Sequence, residues 1–252
     1  MNKYLQHRAN INTISFEDKS IVIYEDHRYF LNILKFYKIN KTNSFPINVV
    51  YFDFHDDCYK NDSILSKNQI NKVKKFNFEN FYNYIEFKHS NQDDDWLISG
   101  CEYGLIRHGI NILGQNVDNI NELNGHYKDT FGKIHNILSL SQNPHIPSND
   151  NIKKFQHIIK NNFILDFDLD FMTKMEEGKN IAYNETELDE LYNQKFINGA
   201  TLKETITELI KNAKNITICK ESKYCGGFDE SNKLLQYLNK TFFNNRLNEL
   251  NS

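Results

Sequence analysis

The sequence predicts an α/β protein built around a largely parallel β-sheet with helices on both faces. Short runs of β-branched and aromatic residues alternate with helical patterns along the chain, as expected for successive strand–helix–strand units. Apolar residues (AVILMFWYC) make up 39% of the 252 residues, and 19 Phe and 14 Tyr supply bulky core material, which excludes a disordered chain. One domain spanning 1–252 is expected, because single α/β domains of about 250 residues are common.

The predicted strands and helices follow one another in a regular order. Strands are predicted where short β-branched or aromatic runs occur, at 20–24, 48–52, 134–140, 163–171 and 216–219. Helices are predicted where apolar residues recur at helical spacing, at 29–37, 77–87, 96–107, 151–159, 188–196, 202–213 and 231–243. The stretch 109–150 is rich in Gly, Asn and Pro and is expected to hold loops or a hairpin.

Charge and composition exclude several classes of function. Lys and Arg number 30 against 33 Asp and Glu, so the net charge of -3 gives no strongly basic surface and we expect no nucleic-acid partner. No apolar run approaches the roughly 18 residues of a membrane helix, and the first 20 residues show no apolar stretch of signal-peptide type. We therefore expect no membrane partner and a cytoplasmic location. The four cysteines form no C-x-x-C pair, so neither a zinc knuckle nor a disulfide framework is indicated.

Potential metal ligands follow the first two predicted strands. The segment D-F-H-D-D at 53–57 comes directly after one strand, and side chains alternate along an extended chain. Asp53, His55 and Asp57 would therefore share one face if the chain stays extended. The segment E-D-H at 25–27 follows the other strand and adds His27. Function gathers at the carboxyl ends of the strands in parallel sheets, which favours a common site for these residues.

The predicted strand 163–171 carries three aspartates on one face. Its sequence, FILDFDLDF, places Asp166, Asp168 and Asp170 opposite an apolar face. Two carboxylates about 5 Å apart repel by about 3 kcal/mol at an effective dielectric constant of about 20. Protonation, Arg or Lys partners, or a bound cation would relieve this repulsion. Because no Arg or Lys lies within 166–170, a bound metal is the most economical answer.

The types and the number of the candidate ligands indicate which metal ions would bind and how many. Carboxylates with some imidazole suit Mn²⁺, Mg²⁺ or Fe²⁺. Two histidines and four or five aspartates exceed what one ion needs, whereas two ions about 3.5 Å apart that share bridging carboxylates would use them all. Each segment alone is more often a turn or a helix cap than a metal site. Their combination on neighbouring strands favours the metal site.

Two further acidic features lie near the expected site. The acidic run at 93–95 precedes Trp96 and is expected to cap the helix 96–107, because carboxylates stabilise a helix N-terminus. A substrate contact at the mouth of the site is the alternative. Glu221 follows the strand 216–219, where its carboxylate could pair with a cationic substrate group through two hydrogen bonds. The alternative for Glu221 is a surface position beside Lys220 and Lys223.

These segments together resemble the arginase-like ureohydrolase superfamily, and most of all its divergent branch that contains the bacterial peptide arginases. The segments E-D-H at 25–27, D-F-H-D-D at 53–57 and F-D-L-D at 167–170, and then Glu221, stand in the order of the family's motifs. Arginases have Ala where this chain has Phe54, and Ser where it has Asp166. The Asp95–Trp96 pair is also similar to the peptide-arginase branch. The resemblance spans about 20–230 of the sequence.

The resemblance implies a three-layer α/β/α fold and a centre of two Mn²⁺ ions. One ion would take His27, Asp53, Asp57 and Asp168, and the other would take His55, Asp53, Asp168 and Asp170, with Asp53 and Asp168 bridging. An alternative register uses Asp166 and Asp168 as the ligands from the Asp-rich strand. The implied reaction is hydrolysis of an arginine side chain to ornithine and urea, by a water that the metals activate. Asp57 would orient this water, and Glu221 would hold the guanidinium group.

The resemblance also assigns supporting residues and a substrate class. Asp166 would accept a hydrogen bond from a metal ligand without binding the metal itself. Asp95 and Trp96 would contact the substrate. The chain has no clear match to the proton-shuttling His of arginases, for which His89 and His108 are candidates. It also lacks a match to the segment that holds the α-amino and α-carboxylate groups of free arginine, which favours arginine within a peptide. Two other functions stay open: another metal hydrolase, either a deacetylase-like amide hydrolase or a phosphoesterase, and a non-catalytic metal-binding relative.

Overall fold

The computed structural model describes residues 11–59, 65–89, 93–114, 118–123, 125–140 and 149–247. Ten strands lie in these ranges: β1 (Asn12–Phe16), β2 (Lys19–Tyr24), β3 (Ile47–Phe52), β4 (Ile106–Ile112), β5 (His126–Lys128), β6 (Ile134–Ser139), β7 (Phe163–Asp168), β8 (Thr173–Glu176), β9 (Lys179–Ala182) and β10 (Asn215–Cys219). Eight of them form one sheet in the order β1-β2-β10-β7-β3-β4-β6-β5, and β8 pairs with β9.

Nine α-helices occur in the same described ranges: α1 (Tyr29–Ile39), α2 (Lys67–Lys74), α3 (Phe78–Phe87), α4 (Trp96–Glu102), α5 (Asp118–Glu122), α6 (Asn149–Ile159), α7 (Glu185–Asn193), α8 (Leu202–Asn212) and α9 (Phe228–Phe242). Short 3-10 helices lie at Asp93–Asp95 and Leu169–Met172. Reciprocal capping boxes begin α2, α7 and α8, so the local sequence itself sets these N-termini. None of the described helices has the length and apolar character that crossing a membrane requires.

The sheet is largely parallel and flanked by helices, which confirms the predicted α/β fold class. β10 runs parallel to β2 and β7, and β4 runs parallel to β6. β1 and β5 add antiparallel strands at the two edges. β3 and β7 are buried at every position, as expected for strands covered on both faces. The carboxyl ends of such strands are the places where candidate functional residues are expected.

The described chain divides into two compact units. The first unit comprises the described residues of Met1–Glu25, Phe52–Phe54 and Ile164–Ser252, and the second those of Asp26–Tyr51 and His55–Phe163. Each unit has its own aromatic core. In the first, Phe52 stacks on Phe167 with ring centroids 5.1 Å apart. In the second, Trp96 packs edge-on against Phe30 at 4.9 Å. The expectation of one domain spanning 1–252 stays a prediction.

The predicted helix 96–107 is wrong in its second half. α4 ends at Glu102, and residues from Ile106 onward form β4. Gly104 has a φ of 65°, and the N–H groups of Gly104 and Leu105 bond back to Cys101 and Gly100 at 3.1 and 2.9 Å. This is a Schellman motif, in which a glycine in the left-handed region ends the helix. Gly104 ends the helix there, although apolar residues continue to recur at helical spacing beyond it.

The predicted strand 163–171 is shorter than expected. β7 ends at Asp168, and the chain continues as the 3-10 helix Leu169–Met172. The side chain of Asp168 accepts the N–H of Asp170 at 3.1 Å and so caps this turn. The alternation of a strand therefore stops before Asp170, and the prediction that three aspartates share one strand face is wrong for that residue.

The short elements were not predicted, because none of them carries a long apolar run. They are β1, β5, β8, β9, α2 and α5. The antiparallel pairing of β5 with β6 confirms that the stretch 109–150 holds a hairpin. Residues 115–117, 124 and 141–148 of that stretch lie outside the described residues.

Candidate metal centre

The first unit presents three buried carboxylates at the ends of its strands. Asp53 directly follows β3, Asp168 is the last residue of β7, and Asp170 lies in the turn after it. Each of the three is at most 1% exposed. The Asp170 carboxylate accepts the N–H of Phe54 at 2.9 Å, which ties the turn after β7 to the segment after β3. Burying carboxylates in this way costs free energy unless hydrogen bonds or a cation compensate.

Asp166 lies deeper in β7 and is held by two hydroxyl groups. Its carboxylate accepts hydrogen bonds from the Tyr24 hydroxyl at 3.0 Å and from the Thr217 hydroxyl. Burial, followed by the charge of Asp166, raises the pKa of Tyr24 well above its usual value, so the phenol stays protonated and remains a donor. These contacts fit the supporting acceptor position that the sequence suggested. Between the two registers left open, they favour Asp168 and Asp170 as the candidate ligands.

Glu221 is buried, which overturns the alternative of a surface glutamate. It follows β10, is 8% exposed and has a φ of 32°. Its backbone carbonyl accepts the N–H of Tyr224 at 2.7 Å, so a tight turn fixes its place. Neighbouring Lys220 lies 3.4 Å from Glu25, in the same unit. A non-glycine residue in the left-handed region costs about 1–2 kcal/mol, and such strain is often found at functional sites.

The charge around Glu221 acts on the nearby thiol of Cys225. Burial raises the pKa of Cys225, and the carboxylates of Asp168, Asp170 and Glu221 raise it further. The thiol donates to the carbonyl of Lys220 at 3.1 Å. Cys225 therefore stays a protonated thiol that is packed against a backbone oxygen.

The second unit presents a buried pair, His27 and Asp57. His27 Nδ1 lies 3.1 Å from Asp57 Oδ2, and the indole N–H of Trp96 donates to the same carboxylate. The His27 and Trp96 ring centroids are 4.8 Å apart. Carboxylates commonly fix a metal-binding imidazole in this way. Asp57 has a φ of 48°, so the chain does not stay extended to this residue and the shared face predicted from simple alternation is wrong.

His55 and Asp56 differ in role although they are adjacent. The carboxylate of Asp56 accepts the backbone N–H groups of Ile120 at 2.9 Å and Cys58 at 3.3 Å, which makes it a structural anchor. His55 is partly exposed, and its carbonyl accepts from the Asn111 amide at 2.6 Å. The backbone of His55 is thereby held in place.

Asp95 and Trp96 are both buried in the second unit. Asp95 stands at the N-cap position of α4, but its side chain makes no capping hydrogen bond, so the predicted cap is wrong. Its carboxylate instead lies 2.9 Å from His89 Nε2. The carboxyl pKa of Asp94 is raised by burial and then by Asp57 and Asp95, which marks a concentration of negative charge. The substrate contacts expected of Asp95 and Trp96 stay predictions.

Potential metal-ligating side chains lie close together within each unit of the described residues. In the first unit, Asp168, Cys219 and Glu221 place their ligand atoms within 4.8 Å of one another, and so do Asp53 and Asp170. In the second unit, His27 and Asp57 do the same. Carboxylate oxygens and imidazole nitrogens dominate, and these donors fit Mn²⁺, Mg²⁺ or Fe²⁺. The described residues thus include buried Asp and His side chains that could bind metal. Sequence reasoning missed Cys219, because its only signal is its place at a strand end.

Comparison with known proteins adds a likeness in fold. No family model matches the sequence, and no curated protein matches it. Among solved structures, the chain is similar to an arginase from Medicago truncatula with 12% sequence identity and a TM-score of 0.42. The match covers 86% of this chain and 58% of that arginase, so this chain spans little more than half of its length. At such identity the likeness concerns the fold alone.

Replacing Trp96 by Phe tests whether its indole N–H positions Asp57. Trp96→Phe keeps a buried ring but removes the donor, so we expect the free energy of unfolding to fall by about 1–3 kcal/mol. With Mn²⁺ as the probe cation, affinity should fall about 10–100-fold if Asp57 is a ligand, as is usual when a partner of a metal ligand is lost. Denaturant titration and calorimetric Mn²⁺ binding measure the two effects. Tyr192→Phe, which removes a buried hydroxyl next to Met172, should lower stability only. Unchanged Mn²⁺ affinity in Trp96→Phe would contradict this role.

Proposed function

We propose that this protein is a dinuclear Mn²⁺-dependent hydrolase that converts an arginine side chain within a peptide to ornithine and urea. The observation that carries the proposal is the set of three buried carboxylates in the first unit, Asp53, Asp168 and Asp170, each at most 1% exposed. Buried carboxylates need compensating positive charge, and a pair of divalent cations bridged by carboxylates supplies it. The proposed ligands are His27, Asp53, Asp57 and Asp168 for one ion, and His55, Asp53, Asp168 and Asp170 for the other.

The other residues of the cluster have roles that follow from their chemistry. Divalent cations bound there would polarise the substrate and lower the pKa of a water near the guanidinium carbon. Water adds its oxygen to that carbon, the bond from the carbon to Nε breaks, and the amine leaves with a proton, which gives ornithine and urea. Glu221, buried beside this cluster, accepts two N–H groups of the guanidinium. Asp57, held by Trp96, orients the water.

A peptide substrate is favoured over free arginine by what the sequence lacks, since it shows no segment for the α-amino and α-carboxylate groups. The test is to incubate Mn²⁺-loaded protein with arginine-containing peptides and with free arginine, and to measure urea and the peptide mass. We expect urea from the peptides together with the mass decrease that loss of the amidino group requires. A peptide with Lys in place of Arg is the control and should stay unchanged.

The same assay separates the alternative functions. Acetyl-lysine peptides and phosphoesters are tested beside the arginine peptides. Hydrolysis of the former would indicate a deacetylase-like amide hydrolase, and hydrolysis of the latter a phosphoesterase. Turnover of either, without urea from arginine peptides, would overturn the proposed reaction but keep a metal hydrolase. Tight binding of metal with no turnover of any substrate would point to a non-catalytic metal-binding relative.

A further inference from the structure

Cys219 is part of the candidate metal cluster, but the proposed hydrolase does not use it. It is the last residue of β10 and is fully buried. In the sheet it pairs in register with Asp168 of β7 on one side and with Tyr24 of β2 on the other. The Cys219 thiol therefore lies on a strand inside the sheet, in register with Asp168, and is not at the surface.

The strand register shows that the Cys219 thiol and the Asp168 carboxylate lie on the same side of the sheet. Two residues earlier, Thr217 pairs with Asp166, and the Thr217 hydroxyl donates to the Asp166 carboxylate. Side chains two residues apart on a strand point to the same face. Cys219 and Asp168 therefore share the face of this hydrogen bond. The ligand atoms of Cys219, Asp168 and Glu221, all in the first unit, lie within 4.8 Å of one another.

We propose that Asp168, Cys219 and Glu221 form a binding position for a thiophilic divalent cation such as Zn²⁺, Co²⁺ or Cd²⁺. Thiolate is a soft ligand that favours these ions over Mn²⁺ and Mg²⁺, whereas the nearby Asp53 and Asp170 of the same unit offer only carboxylate donors. On binding, the metal–sulfur bond forms and the thiol proton passes to solvent. The inference goes beyond the proposed hydrolysis, because it concerns which ions bind and holds whether or not a guanidinium group is cleaved.

A buried cysteine is more often a packed thiol than a ligand, and the other cysteines of this chain illustrate that role. Cys58 donates to the carbonyl of Asp56 at 2.9 Å, and Cys225 donates to the carbonyl of Lys220 at 3.1 Å. Both thiols are thus placed against backbone oxygens. Cys219 differs because ligand atoms of two carboxylates in the same unit, Asp168 and Glu221, lie within 4.8 Å of its sulfur.

Cobalt binding gives a direct readout of the sulfur ligand. Co²⁺ is titrated into the full chain freed of metal, and the thiolate-to-cobalt charge-transfer absorption in the near ultraviolet is recorded. We expect the band in the wild type, its loss in Cys219→Ser, and its retention in Cys101→Ser, which alters another buried cysteine, within α4. Cd²⁺ affinity should fall at least about tenfold in Cys219→Ser, the least that loss of even an outer partner of a metal ligand usually causes.

A second measurement on the wild type keeps the inference testable if Cys219→Ser does not fold. X-ray absorption at the zinc edge of the Zn²⁺-loaded protein should show one sulfur neighbour at about 2.3 Å. A zinc shell with nitrogen and oxygen only would overturn the inference, as would a charge-transfer band that persists in folded Cys219→Ser. Neither result depends on hydrolysis of arginine, so failure of this inference and failure of the proposed function are distinguishable.

Discussion

Asp53→Asn is expected to remove most of the bound metal, from about two ions per chain to well below one. Asp53 directly follows β3, is 1% exposed and is the proposed bridging ligand, so its charge would serve both proposed ions. A neutral amide of the same shape offers an oxygen but not the negative charge that hard divalent cations prefer. The number of bound metal ions per chain is measured by elemental analysis. The protein is purified without chelator and supplemented with Mn²⁺.

The control for Asp53→Asn is Asp26→Asn. Asp26 precedes His27 in the sequence but pairs with Arg28 at 2.7 Å, so its substitution should leave both ions bound. Mn²⁺ at about 100 times its dissociation constant should stabilise the wild type by about 2.7 kcal/mol, and Asp53→Asn by much less. A folded Asp53→Asn protein that retains two ions would contradict the bridging role of Asp53.

The strands that carry the candidate residues could be predicted from the sequence because they are buried on both faces. β2, β3, β7 and β10 are compact apolar runs, and the predicted ranges overlap all four. The sequence did not predict the strand order, but the α/β alternation predicted a largely parallel sheet, in which the carboxyl ends of the strands lie at one edge. Asp53 and Glu221 were therefore placed correctly after strand ends, whereas Asp168 was predicted inside a strand that in fact ends at it.

The local geometry of the candidate site could not be predicted from the sequence. It depends on backbone conformations and on contacts with residues that are distant in sequence. Asp57 and Glu221 adopt positive φ, which no pattern of apolar residues predicts. Asp95 failed as a helix cap because His89 engages its carboxylate. Cys219 was missed because spacing rules for cysteine ligands look along the chain, whereas its potential partners come from other segments.

Glu221→Gln is expected to lower the rate of ornithine formation from an arginine peptide by about 10²–10³-fold while Mn²⁺ content stays near two. The substitution keeps the shape of the side chain but replaces a charge that pairs with the guanidinium by a neutral amide. The buried position of Glu221 strengthens this effect, because water screens the charge poorly there. Loss in kcat/KM, measured by the urea assay at matched Mn²⁺ loading, gives the size of the contribution.

Glu230→Gln is the matched control for Glu221→Gln. Glu230 lies in α9 and pairs with Lys233 at 2.6 Å on the surface of the same unit, so its substitution should leave both Mn²⁺ content and rate unchanged. Glu221→Asp keeps the charge but shortens the side chain by one methylene, and it should fall between wild type and Glu221→Gln. Wild-type rates in a folded, Mn²⁺-loaded Glu221→Gln protein would show that another group binds the guanidinium. Loss of metal in Glu221→Gln would instead make Glu221 a ligand, because a residue that binds only substrate leaves the ions in place.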